Sequence, residues 1–311
     1  MKTERDNRRI RIGARTAFAA LITAASTFTF AAQPALDAKV IGDASGAKPA
    51  TSPDGVVKIT WARDDVKVAV DGMPLAPPAG LGSWAAFAPT SGGNAMVMGD
   101  TVVFEDEVDA AMDAAFANGL AVSALHNHFF YDTPKVYFMH IGGEGKPETL
   151  AGGVKAVWSA IKQVRSARAT PASGFGGEAP TPGHIDAEAV GKILGQKATD
   201  TNGVVKITIN RDGTMQDTPI GGSMGLTTWV ALSGSDALAA IDGDFIMTAE
   251  EVQPVLHALR KGGIHIVALH SHMTGEKPTF YFTHFWSKGK TEDLARAFRA
   301  ALDAQAGVKK S

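Results

Sequence analysis

Six of the nine histidines in this 311-residue chain stand in two matching blocks. The first reads Ala124-Leu125-His126-Asn127-His128 and is followed by a Pro-initiated aromatic strand ending in His140. The second reads Ala268-Leu269-His270-Ser271-His272 and ends in the same way at His284. Alternate residues of a strand face the same side, so His-x-His sets two imidazoles side by side, roughly 6–7 Å apart at Cα. Neutral imidazoles in that arrangement suit a divalent metal, zinc first, with an open position left for water. The candidate metal ligands are therefore His126, His128, His140, His270, His272 and His284. The competing reading is a set of polar side chains satisfied by backbone or carboxylate partners and ordering a loop.

Other residues invite roles near these blocks. Asp100 and Asp244 follow matching glycines and suit either a fourth ligand or the acceptor that orients an imidazole, against a plain turn aspartate. Glu107 and Glu251 look like general bases, but Thr248-Ala249-Glu250-Glu251 is a capping-box pattern, which favours a structural task. Trp84 and Trp229 suit either the floor of a ligand cleft or the core. Ser123 and Ser271 sit in no nucleophile-elbow motif, and Gly92-Gly93 and Gly221-Gly222 lack the strand-glycine-helix pattern of a phosphate loop.

The elements that position these residues occur twice. Asp54-Gly55-Val56-Val57-Lys58-Ile59-Thr60 returns as Asn202-Gly203-Val204-Val205-Lys206-Ile207-Thr208, and Leu36-Asp37-Ala38 echoes Ile185-Asp186-Ala187. From Gly99-Asp100 and Gly243-Asp244 to the third histidine the two copies keep a constant offset of 144 residues. Two copies of that length indicate a duplicated domain rather than a solenoid.

Each copy predicts a short opening helix and then strands over Val56 to Trp61, Lys67 to Val70, Trp84 to Phe87 and Ala95 to Phe104. A helix follows, with Val108, Ala111, Met112, Ala115 and Phe116 on one face, or Val252, Val255, Leu256 and Leu259 in the second copy. Gly119 and Gly262-Gly263 stop these helices. The histidine strand and its return strand come next, and a last amphipathic helix closes each unit. The fold class is α+β: two tandem copies, each an antiparallel sheet packed by two or three helices.

On the histidine strand, period-two alternation sets Leu120, Val122, Ala124, His126 and His128 on one face, so the histidines are expected to continue an apolar inner row. A simple hairpin centred on Tyr131 pairs His126 with Val136 and puts His140 opposite Val122, roughly 13 Å along the strand from His126. Either the hairpin is irregular, or His140 completes a site with another element, the opposite copy included.

The first residues read as an export signal. Lys2, Arg5, Arg8, Arg9, Arg11 and Arg15 precede an uncharged run from Thr16 to Ala32, with Thr29-Phe30-Ala31 as the cleavage pattern. Arg8-Arg9 admits the twin-arginine route. The expected divisions are 1–31 signal, 32–167 first repeat, a Pro/Gly/Ala/Ser-rich linker over 168–183, and 184–311 second repeat. Loss of the signal removes six basic and two acidic residues and takes the net charge from −2 to −6. That balance argues against nucleic acid as a partner, and no stable membrane insertion is expected after cleavage. The chain has no cysteine, which excludes disulfides, thiolate metal sites and a cysteine nucleophile.

Three motifs carry a family resemblance: Gly99-Asp100 with Glu107-Val108, then Ala124 to His128, then Pro134-Lys135-Val136-Tyr137-Phe138-Met139-His140-Ile141. Together they resemble the LppY/LpqO family of exported bacterial proteins, over nearly all of the mature chain and in both copies. The resemblance implies an envelope location and a duplicated domain of unknown function, but no reaction. Members include mycobacterial lipoproteins, whose lipobox cysteine is missing here. The expected protein is periplasmic or secreted and binds a divalent metal, with metal-dependent hydrolysis as the chemistry if it is an enzyme. The alternative is a non-enzymatic binding protein for a small ligand or cell-wall component.

Overall fold

The computed structural model describes residues 35–308, so the expected signal over 1–31 lies outside the described residues. Both repeats run through the same elements. The opening helices, Ala38–Ser45 and Ala187–Leu194, start at Asp37 and Asp186, whose carboxylates accept backbone N–H groups of the first turn. This N-cap is the physical content of the repeated Leu/Ile-Asp-Ala lead-in.

Five longer strands follow in the first copy: Val57–Ala62, Gly82–Pro89, Ala95–Phe104, Ala121–His126 and Val136–Gly145. Their counterparts are Val204–Asn210, Thr227–Gly234, Ala239–Met247, His265–His270 and Tyr281–Gly289. Helices Val108–Ala117 and Ala249–Lys261 precede the histidine strands, and Pro147–Ala167 and Thr291–Gly307 end the units. Gly119 and Gly263 take positive φ angles just past the middle helices, a conformation that costs a side chain energy and costs glycine almost none.

The two copies share one sheet. Twelve strands run antiparallel throughout, and their order in the second copy mirrors that in the first about a central seam. At the seam the two histidine strands meet, with Leu125 opposite Leu269. Both leucines are fully buried, and each contributes about 1.5–3 kcal/mol by leaving water. Helices of both copies supply the core on that side, including Ile41, Met112, Val154, Leu256 and Phe298. Across the junction, the Phe116 and His257 rings stack at 3.9 Å and Arg260 pairs with Asp113 at 2.9 Å.

The opposite face carries two small apolar clusters, one around Phe104 and Phe138 and one around Phe280 and Phe282. Beside each lies a three-stranded sheet, built in the first copy from Ala69–Val70, Met73–Pro74 and Asp132–Thr133. The strand expected from Lys67 to Val70 thus shrinks to two residues.

Two expectations for the histidine strand are overturned. The hairpin is centred one residue later than Tyr131, because Asp132–Thr133 leave it to pair with Ala69–Val70. His126 therefore lies opposite Phe138, and His140 opposite Ala124. A register shift between Val122 and Ala124, repeated between Ile266 and Ala268, also breaks the alternation. Val122 and Leu125 both enter the helix-side core, while Ala124 and His126 turn to the other face. The histidines do not continue the Leu120–Val122 row.

Candidate functional site

Because Leu125 and Leu269 point to the helices from opposite sides of the seam, both histidine sets project from the same outer face of the sheet. The shifted register brings each third histidine to its own pair. In the first copy the His126 ring lies 5.1 Å from those of both His128 and His140, centroid to centroid. In the second copy the His270 ring is 5.1 Å from His272 and 5.0 Å from His284. The third histidine therefore comes from the same copy, and no loan across the seam is needed.

Phenylalanines hold the rings. His128 stacks on Phe138 at 3.3 Å and His272 on Phe282 at 3.4 Å, nearly parallel. Nothing in the sequence pattern marks these phenylalanines as supports for imidazoles. Asp132 and Glu276, both buried, accept the N–H of Val136 at 2.7 Å and of Phe280 at 2.9 Å, fixing the loop between ligand strands. Their matched position at the 144-residue offset was a signal available in the sequence.

The sets differ in convergence. The donor atoms of His270, His272 and His284 all lie within 4.8 Å of one another, and among the described residues this group alone reaches that closeness. Three nitrogens bound at about 2.1 Å to one tetrahedral zinc lie ~3.4 Å apart, so small ring movements, at most about 1.4 Å for any pair, bring the three donors onto one ion. His284 donates its Nδ1–H to the Gly243 carbonyl at 3.1 Å, which leaves Nε2 free to face an ion. His270 Nδ1 is buried without a hydrogen-bond partner, as is Asp244 Oδ1. A buried carboxylate oxygen without a donor, one residue's width from these imidazoles in the sheet, fits a cation.

Asp244 is 4% exposed, and its other oxygen lies 3.2 Å from His272 Nε2. Burial pushes its carboxyl up to about 6, against the pull of His284. Burial also lowers His270 and His272, with His284 adding to the effect, so both rings favour the neutral, ligating form. In the first copy Asp100 is 3.9 Å from His140, and burial lowers His128. Both aspartates sit in strands opposite their tryptophans, Trp84 and Trp229, rather than in turns. The tryptophans are half-buried on the histidine face, with Lys58 and Lys206 over their rings at 4.6 and 4.4 Å.

The glutamates are structural. Glu107 is fully buried and takes a two-pronged contact from Arg63 at 2.8 Å on each oxygen, together with the Phe104 N–H. Glu251 accepts the Thr248 N–H at 2.9 Å, as its capping box requires, and pairs with Arg211 at 2.7 Å. Ser123 and Ser271 are exposed.

A cavity of about 800 Å³ opens beside the second set. His284, Trp229, Asp242, His265 and Asp109 line it, and Phe175 from the segment between the repeats stacks on His265 at 4.0 Å. A hollow of about 630 Å³ elsewhere, beside Lys39, Asp43 and Pro49, has no histidine in its wall.

Fold and site together define a duplicated α+β protein with one histidine set per repeat on the open face of a common sheet. The chain belongs to the family described as Domain of Unknown Function (DUF1259), which matches residues 39–160 and 188–304, one segment in each repeat. No curated protein matches it. Among solved structures, a trimeric bacterial microcompartment shell protein, PduB, aligns at 10% identity over 82% of this chain and 89% of that one. Its TM-score of 0.18 is too low to carry an argument. No helix of the described residues is long and apolar enough to cross a membrane.

Proposed function

We propose that this protein binds a divalent metal, zinc first, through His270, His272 and His284, with Asp244 beside them. His126, His128 and His140 form the corresponding set of the first repeat. The observation that carries the reading is the approach of three imidazole donors to within 4.8 Å, with His284 already oriented through its Nδ1–H. A bound ion there would supply a Lewis acid and an activated water, so hydrolysis is the chemistry if the protein is an enzyme. The likeness to the LppY/LpqO family and the basic, then apolar, first residues support a periplasmic or secreted location. N-terminal sequencing of the protein recovered from the producing cell's envelope fraction checks this, and an N-terminus at Met1 refutes it.

The metal reading is tested on protein purified without an affinity tag, by elemental analysis and zinc titration. About one equivalent lost in His284→Ala supports it, and less than roughly a tenth of an equivalent after reconstitution overturns it. The cavity beside His284 supports a second reading, a non-enzymatic binder of a small ligand or envelope component. On that reading, ligand-induced thermal stabilisation persists in chelator.

A further inference from the structure

The two sides of the seam are not finished in the same way. In the first repeat the N–H and C=O of Val122 face away from the return strand, toward the second repeat. The side-chain carboxamide of Gln253 fills that edge. Its Oε1 accepts the Val122 N–H at 3.0 Å, and its Nε2 donates to the Val122 carbonyl at 2.8 Å. A primary amide here imitates one residue of a pairing strand.

The equivalent of Val122 is Ile266, and the equivalent of Gln253 is Asp109, each at the 144-residue offset. Register is conserved: Val122 lies opposite Ile141, Ile266 opposite Phe285, and the same shift follows each. The N–H and C=O of Ile266 therefore point to the corresponding open side. Asp109 does not fill that edge. Its carboxylate is taken by His265 Nδ1 and by Arg260, the latter at 2.8 Å. In place of a plug stands the cavity of about 800 Å³, with Ile266 and Val267 in its wall and His284 within it.

We infer that this cavity is a binding site for a small molecule with an amide N–H and C=O on one edge, a primary carboxamide or one extended residue of a short peptide, which pairs with Ile266 as the Gln253 carboxamide pairs with Val122. Ile266 offers one donor and one acceptor on the same strand edge; a primary carboxamide, or the N–H and C=O of one extended residue, matches both, whereas a single trans secondary amide points the two groups apart. Trp229, Trp286 and Phe175 supply aromatic surface for the remainder of the ligand, while Asp242 and Glu105 supply acceptors for hydroxyl or amino groups. A free carboxamide and a short N-acylated peptide both present this chemistry. The inference requires no metal, although a ligand so placed would lie beside His284.

The test uses the full mature chain in chelator, with backbone amide shifts followed by NMR during titration with benzamide and, separately, with an N-acetylated dipeptide N-methylamide. N-Methylbenzamide and the same dipeptide with N-methylated backbone amides are the controls. Shifts centred on Ile266 and Val267, seen with at least one probe and not with its N-methylated control, are expected, and the responding probe identifies the source of the amide. Asp109→Gln rebuilds the first repeat's plug and should weaken binding at least about tenfold while leaving zinc uptake at His284 unchanged. Equal response to the probes and their N-methylated controls, shifts away from Ile266, or no saturable response overturns the inference, whatever the zinc titration shows. If Asp109→Gln fails to fold, the wild-type shift map decides alone.

Discussion

Replacing Arg63 with Met tests the placement of Glu107 as an ion-pair partner rather than a base. The Arg63 guanidinium is 1% exposed and gives two bonds to Glu107, two to Asp65 and one to the Val102 carbonyl. Methionine keeps most of the volume and strands a fully buried carboxylate with the Phe104 N–H and Arg165. Breaking a buried pair from one side costs about 3–5 kcal/mol. The matching change, Arg211→Met, removes a single contact to Glu251, and the Arg211 side chain is 23% exposed. Glu251 keeps the Thr248 N–H and the Gln305 amide, so that loss is about 1–2 kcal/mol.

Acidity separates this account from a packing defect. Burial already pushes the Glu107 carboxyl above its ordinary range, with Arg63 pulling against it, and loss of Arg63 raises it further. A carboxyl whose folded value exceeds its unfolded one carries no penalty below the unfolded value, and a growing penalty as pH rises toward the folded one. The deficit of Arg63→Met, read from urea unfolding, should therefore be largest at neutral pH and shrink as pH falls toward the ordinary glutamate range. A deficit below about 1 kcal/mol, or one independent of pH, refutes the argument.

Other outcomes follow from the site. His284→Ala should abolish zinc uptake by the second repeat, whereas His140→Ala should leave that uptake intact; calorimetric titration separates the two. Asp244→Asn should weaken zinc binding about 10–100-fold with the fold unchanged by circular dichroism, as loss of an orienting carboxylate does. Gly243→Ala would put a methyl 2.2 Å from the Trp229 carbonyl and 2.5 Å from the Phe285 ring, so a loss of about 1–3 kcal/mol in urea unfolding is expected. Gly99→Ala should cost less, since its nearest neighbour would be 2.9 Å away.

The duplication, the six helices and the strand from Ala95 to Phe104 could be read directly, because helical stripes and a long offset survive without tertiary information. The six histidines could be read as well, but their meeting could not. That depends on a bulge beside Ser123 and Val267, and neither residue type signals a bulge. Period-two reasoning consequently carried the histidines to the wrong face and set His140 too far away. The hairpin register failed for a related reason, since Asp132–Thr133 answer to Ala69–Val70, more than sixty positions earlier. Gln253 was equally hidden: on a helix it reads as one more polar residue, and its use appears only when the strand edge it faces is known.

The antiparallel seam at Leu125 and Leu269 has an evolutionary consequence. Two identical subunits joined edge to edge about this axis would be symmetric by necessity, with the same residue closing both gaps or leaving both open. Tandem fusion releases that constraint. With both halves in one polypeptide, glutamine at one end and aspartate at the other can be inherited together, so one half can serve as scaffold while its twin specialises.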